Sequence, residues 1–464
     1  MMRIEHRASI AALRRSVWGA FSLLLVCGQA LAAIPIQRWT QPSGAQVYFA
    51  PSPSIPMVDV RLEFDAGGRR EPADKAGLAS ITAGMTDKGI GPAREITGAP
   101  TPYPLALDEN QLSEAWTDLG AGFGGSAGSD RMSFSLRSLT YPDLLGKAVQ
   151  LAARQLGEPT FPNEIWLRER QRLAAAVREA NTRPATIAAR AYSAAVYGTH
   201  PYGHEMTEAT LERISVDDMK QLYRLLQPCR AKVSIVGAVT RAQADAMVAT
   251  LLSRLPSVVQ GRCEPLPPVP EVAPLTAALE RDIPFASAQA HILIGQPGYK
   301  RNDPDYFALL VGNYILGGGG FVSRLTEEVR EKRGLSYNAS SHFAPGLHAG
   351  AFTVSLQTRP DQAEQAVRVA REVVARFVAE GPSAVELKAA KDNLIGGFPL
   401  FIDSNRKLLD NIANIAWHGL PLDYLDTWTA KVQRITTGDV KAAFARKLQP
   451  QRMVTVIVGG GKGP

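Results

Sequence analysis

Arg330 and Tyr337 stand seven residues apart in "VREKRGLSY", the first in the last turns of an expected helix that stops at Gly334, the second near the start of an expected strand. An arginine offers a rigid planar fork for carbonyls or carboxylates. A tyrosine hydroxyl can donate to negative charge that develops during a reaction. On chemistry alone the same two residues read as a cation at a helix C-terminus and a ring at a sheet edge. His200 and His204 are four apart, but Pro201 and Gly203 lie between them and argue against a helix, so the spacing gives no shared face. His291, His342, His348 and His418 are isolated, with no Cys, Asp or Glu cluster of ligand spacing beside them. The run Gly317–Gly320 is not followed by Lys-Ser/Thr and follows a helical stretch, which disfavours a phosphate loop and favours a tight turn between helices. Ser80 as a nucleophile lacks a base at any recognisable spacing.

Such residues need a scaffold, and 464 residues exceed one ordinary core. The composition, 45% apolar and 20% charged, is that of a globular protein. Residues 1–32 read as a secretory signal peptide: Arg3, Arg7, Arg14 and Arg15 precede an apolar run from Val17 to Val26, and Ala30-Leu31-Ala32 offers a cleavage site after Ala32. The run is too short for a membrane span, so no stable membrane insertion is expected. These residues carry four arginines and one glutamate, so their removal takes the net charge from +7 to +4. The remaining charge is scattered without a basic stripe, and no nucleic acid partner is expected. A periplasmic or secreted location follows, where Cys229 and Cys263 could form a disulfide or remain separate thiols.

The chain is written twice. "RISVDDMKQLYRLLQPCRAKVSIVG" (213–237) returns as "RITTGDVKAAFARKLQPQRMVTVIVG" (434–459). In each copy a hydroxyl N-cap (Ser215, Thr436) precedes Asp218 or Asp439 by three residues, opening a helix that gives way to a β-branched strand ending in glycine. Strands are expected at "AQVYFAP", "MVDVRLEFDAG" and "DRMSFSLRSL", and helices near 76–86, 107–119, 141–156 and 162–196. The second half repeats the order, with strands "AQAHILIGQPG", "LSYNASSHF" and "GAFTVSLQT", and helices over 304–316, 322–332, 360–380 and 384–397. A Pro-rich stretch, 256–276, reads as a linker. The expected class is α+β: two duplicated sandwich domains, 33–255 and 277–464.

Three stretches carry a resemblance: "FDAGGRREPADKAGLA" (64–79), "HPYG" (200–203) and "ILGGGGFVSRLTEEVREKRGLSY" (315–337). Through them the chain resembles the pitrilysin/insulinase family of zinc metallopeptidases, of mitochondrial-processing-peptidase-like size, whose unit is two related LuxS/processing-peptidase-like domains. Catalytic members use H-x-x-E-H, in which two His on one helical face bind zinc and the Glu activates its water. Aligned from Gly77-Leu78-Ala79, those places hold Ser80, Ala83 and Gly84. The third ligand, a Glu on a later helix, falls on Ala176 in "ERQRLAAAVRE", with Glu169 at an earlier acidic place and an insertion near "TGAPTPYPLALDE" accounting for extra length. No metal is therefore expected on this chain. The resemblance implies that Arg330 and Tyr337 bind the substrate backbone and stabilise an oxyanion. With one half erased and the other kept, it implies a non-catalytic subunit of a periplasmic heterodimeric zinc endopeptidase. That subunit would act on unfolded peptides, with zinc in a paralogous partner. The competing expectation is a non-hydrolytic peptide-binding or structural scaffold like the respiratory-complex core subunits.

Overall fold

The computed structural model describes residues 35–96, 101–256 and 262–459; the expected signal peptide lies outside them. Thirteen strands form among these residues. β1 (Gln37–Thr40), β2 (Gln46–Pro51), β3 (Met57–Phe64), β6 (Gly122–Ala127), β7 (Met132–Leu139) and β8 (Lys232–Gly237) make one sheet, while β4 (Gly89–Ile90) and β5 (Leu107–Asp108) form a separate short ladder. β9 (Leu279–Ile283), β10 (Ala290–Pro297), β11 (Ala339–Phe343), β12 (Ala351–Thr358) and β13 (Val454–Val458) make a second sheet. The first runs β1-β2-β8-β3-β7-β6, and the second β9-β13-β10-β12-β11. β2 and β8 are parallel, as are β9 and β13, and the other pairings within both sheets are antiparallel. From β2 onward, order and sense are the same in the two sheets.

The alternating β3 puts Val58, Val60, Leu62 and Phe64 into a core shared with the helices Leu78–Gly84, Pro142–Gly157 and Arg241–Leu252. Its other face, with Asp59, Arg61 and Glu63, is also covered, because the helix Asn405–His418 crosses β3 and β8 there. The second sheet is treated in the same way. The helix Pro184–Tyr197 crosses β10 and β13, seating Ala188, Tyr192 and Val196 on Val454, Val456 and Val458. Each sheet is thus closed by a helix from the opposite end of the chain, which is why β13 is buried along its whole length.

Both repeat segments open as expected. Ser215 bonds Asp218 and Thr436 bonds Asp439, each in a reciprocal capping box. Two expectations are corrected, and several elements were not foreseen. The helix 162–196 is two helices, Asn163–Ala180 and Pro184–Tyr197, broken where Arg183 precedes Pro184 and stays extended. The strand expected from Leu335 begins only at Ala339, which leaves Tyr337 in an irregular bend. The edge strand β6 and the helices Arg241–Leu252, Asn405–His418 and Tyr424–Arg434 were not among the expected elements.

Residues 262–275 form no helix or strand, yet they are held down along their length. Cys263 is bonded to Cys229, with Cα atoms 5.8 Å apart. Arg70 donates to the Pro267 carbonyl, His200 Nε2 lies 3.0 Å from the Pro270 carbonyl, and Lys300 reaches Glu271 at 2.6 Å.

Candidate functional site

The helix Leu78–Gly84 is capped from outside. The Glu71 carboxylate accepts the Gly77 and Ala79 N–H groups at 2.8 and 2.7 Å, satisfying donors that have no partner in the first turn. Burial raises the Glu71 pKa, against the pull of those two donors. The four degenerate positions differ in setting. Ser80 is exposed and its hydroxyl turns back to the Gly77 carbonyl at 3.0 Å. Gly84 is exposed, and a Cβ there would meet nothing within 4 Å. Ala83 is 0% exposed, and its carbonyl accepts from the Thr86 hydroxyl at 2.7 Å. β6 lies against it so closely that a Cβ on Gly125 would come 2.7 Å from the same carbonyl. Ala176 is exposed on Asn163–Ala180, where Glu169 is taken by Arg172 at 2.7 Å.

A zinc ion of the kind the resemblance implies does not fit this donor set. Ala83, Gly84 and Ala176 offer no side-chain ligand, and the single hydroxyl of Ser80 falls short of the three protein ligands that a catalytic site needs. No group of three or more His, Cys, Asp or Glu among the described residues is placed to hold a metal ion. The described helices include none long and apolar enough to cross a membrane.

Arg330 lies on a single π-helical turn, Thr326–Glu331. The turn ends at Gly334, whose φ of +61° suits glycine; its N–H bonds the Arg330 carbonyl at 2.8 Å, and the next N–H, of Leu335, bonds the Val329 carbonyl at 2.9 Å. The Arg330 guanidinium is over the Tyr337 ring, 4.7 Å from its centre, and also over the Phe321 ring at 4.8 Å. Its Nε is 3.3 Å from Glu331. Tyr337 is 81% exposed, and Phe321 and Val322 beside the glycine run are 69% and 76% exposed. The two expected residues are therefore brought together, with an aromatic partner that sequence reasoning missed. Its only signal was a large apolar pair placed directly after four glycines.

A second group was also missed. His200, in "HPYG", accepts the Tyr202 N–H on Nδ1 at 3.1 Å, so the Nε2 that faces the Pro270 carbonyl carries the proton and the ring is neutral. Its ring packs 5.1 Å from that of His348, whose Nδ1 faces Glu271 at 3.2 Å. Tyr202 donates to Asp130 at 2.5 Å and accepts the His348 N–H at 3.2 Å. Burial pushes the His200 pKa down, with His348 adding to it. His200 and His348 thus join distant segments of the chain and are not arranged as ligands.

Residues 213–394 match the family model described as "Peptidase M16 inactive domain". A solved structure from Pseudomonas fluorescens, described as a peptidase M16 inactive domain, is 31% identical to this chain and has a TM-score of 0.83, covering 92% of this chain and 98% of its own. The "Non-peptidase homolog YmxG" of Helicobacter pylori is 23% identical over 88% of this chain and 90% of its own length. The periplasmic protease PqqL from Escherichia coli shares the fold at a TM-score of 0.75 and 17% identity, the match covering 91% of this chain but 45% of that one.

Proposed function

The chain belongs to the peptidase M16 family, and from that premise we propose that it is a non-catalytic subunit completing the active site of a zinc-bearing paralogue. The observation that carries this reading is an asymmetry. The helix Leu78–Gly84 keeps its place against β6 without the residues that would bind metal or activate water, while Arg330 and Tyr337 are assembled, Tyr337 exposed and Arg330 partly so. In this reading Arg330 grips the backbone of an unfolded peptide, and the Tyr337 hydroxyl donates to the oxyanion formed over the partner's zinc. PqqL supports the pairing in one respect, since one copy of this fold fills 45% of that chain and leaves room for another. β6, unpaired on its outer side among the described residues, offers a sheet edge to which an extended peptide could add.

Further parts of the reading rest on sequence. Cleavage after Ala32 would deliver the mature chain to the periplasm or outside the cell. We take 33–255 and 277–464 as two copies of one α/β unit joined by 256–276, supported by the shared strand order of the two sheets. The scaffold alternative draws on one observation, the complete burial of Ala83, which packs away the position aligned with the family's Glu although Ser80, Gly84 and Ala176 stay exposed. Co-expression with a family member that carries an intact H-x-x-E-H, followed by zinc analysis and a peptide-cleavage assay, separates the two. Activity that requires both chains supports the subunit. A stable complex, or a lone chain, that binds peptide without cleaving it supports the scaffold.

A further inference from the structure

A long arginine side chain loses rotamer freedom when it is held in one position, so a guanidinium at the surface is aimed only if something holds it. Arg330 is held from three directions: by the Phe321 ring, by the Tyr337 ring, and by Glu331 at its Nε. What remains for a ligand is the outer pair of Nη groups, the end of the fork. Phe321 is too exposed to serve the core, and the turn that bears it, Gly320–Val322, is fixed from beneath. Ser323 closes that turn, its N–H and hydroxyl both donating to the Gly320 carbonyl at 3.1 and 2.8 Å. The same hydroxyl meets the Thr326 hydroxyl at 3.0 Å, and Thr326 donates to the Ala339 carbonyl of β11 at 3.2 Å. Ser323 is fully buried and Thr326 nearly so, so the ring above them rides on a rigid base.

We propose that Phe321 is a positioning residue for peptide recognition: with Tyr337 it brackets the Arg330 guanidinium, so that the free Nη edge meets a backbone carbonyl of an extended peptide. The inference rests on the peptide-binding reading of Arg330 and Tyr337 and extends it to a residue outside that pair. The ring contributes through the face it turns to the cation, so an aromatic replacement keeps the function and an aliphatic one of similar bulk loses it. A cation–π contact at an exposed site corresponds to an effect of about two- to five-fold in affinity.

The test uses the mature full-length chain, isotopically labelled, and a fluorescent decapeptide of Ala, Gly and Leu with a blocked N-terminus and an amidated C-terminus, so that no side chain can accept from the guanidinium. The Arg330 Nε–H resonance, assigned with Arg330→Lys, is expected to be ring-current shifted in the native chain. The shift should shrink in Phe321→Leu, leaving only the part that Tyr337 contributes, and persist in Phe321→Tyr. Peptide Kd by anisotropy should rise about two- to five-fold in Phe321→Leu and stay unchanged in Phe321→Tyr. An unshifted native resonance overturns the proposal, as does a Phe321→Leu chain that binds peptide as well as the native one. If Kd is also unmoved in Arg330→Ala, the failure lies in the peptide-binding reading itself. If Arg330→Ala weakens binding and Phe321→Leu does not, only the part given to Phe321 falls.

Discussion

At Tyr337 the distinction between a donor and a packing ring is open to experiment, because with 81% of its surface in solvent it has little packing to lose. Tyr337→Phe in an assembled heterodimer should lower kcat on the order of 10²-fold, with little change in assembly by sizing chromatography. Full activity in that variant would leave the tyrosine a surface ring. The degenerate helix permits an equally local comparison. Gly84 has helical angles and open space around it, so Gly84→Ala should stabilise the chain by roughly 0.5–1 kcal/mol. Ala83→Glu forces a carboxylate into a fully buried place beside β6 and should cost on the order of 3 kcal/mol. Paired urea titrations measure both. A tolerated Ala83→Glu would mean that the position aligned with the family's Glu still opens to a cleft. These residues were legible in the sequence because a motif fixes its own spacing even after its side chains have changed. Phe321 was not, since a contact across a turn leaves no periodic trace.

Among the elements, legibility followed how far each announces itself locally. The helix Ala384–Gly397 matched its expected limits, with Ser383 and Glu386 forming the capping box that marks its start. β6 did not, because "GFGGSA" has neither the β-branched residues nor the alternation that betray a strand, and pairing with β7 alone makes it one. The linker was read as a spacer from its prolines, but its attachments are tertiary. Cys229 and Cys263 were two residues whose separation the sequence could not supply, and the fold joins them across 34 positions. Closing a loop of that length restricts the unfolded chain by about 3–4 kcal/mol. Cys229→Ser with Cys263→Ser should therefore lower stability by an amount of that order in reversible denaturation. Amides of residues 264–272 should also exchange faster with solvent, as the strap loses its first anchor. Unchanged exchange there would mean that the Arg70, His200 and Lys300 contacts hold the segment by themselves.

Over the whole molecule, the crossing of the two halves was the least legible feature. Pro184–Tyr197 and Asn405–His418 each cover the sheet built by the other end of the chain, and nothing in a local window says which sheet a helix will meet. That crossing places titrating groups where acid and base pull in opposite directions. His418 ends Asn405–His418, and burial, with Arg301, Arg131 and Lys232 nearby, drives its pKa down to about 3. His200, His204, His291 and His342 are also lowered by burial. The unfolded chain therefore takes up protons that the folded chain refuses, and stability falls as pH drops below about 6.5, the ordinary histidine value. On the same face of the first sheet Glu63 is 0% exposed, and burial raises it to about 7 despite Arg131 at 2.8 Å and the nearby Arg61 and Lys232, with Asp410 adding to the rise. Here the folded chain keeps a proton that the unfolded one releases, so stability is lost as pH rises from the ordinary glutamate range, about 4.3, towards 7. Burial raises Glu71 and Glu205 as well, so these carboxyls oppose the histidines, which in the unfolded chain are still titrating as pH passes 6.5, and the two sets partly cancel towards neutrality. Glu63→Gln removes one opposing term, so stability should rise more steeply with pH between 5 and 7 than it does in the native chain. Urea midpoints taken from pH 5 to 8 on both chains decide this. Parallel curves would mean that Glu63 is ionised throughout, paired with Arg131.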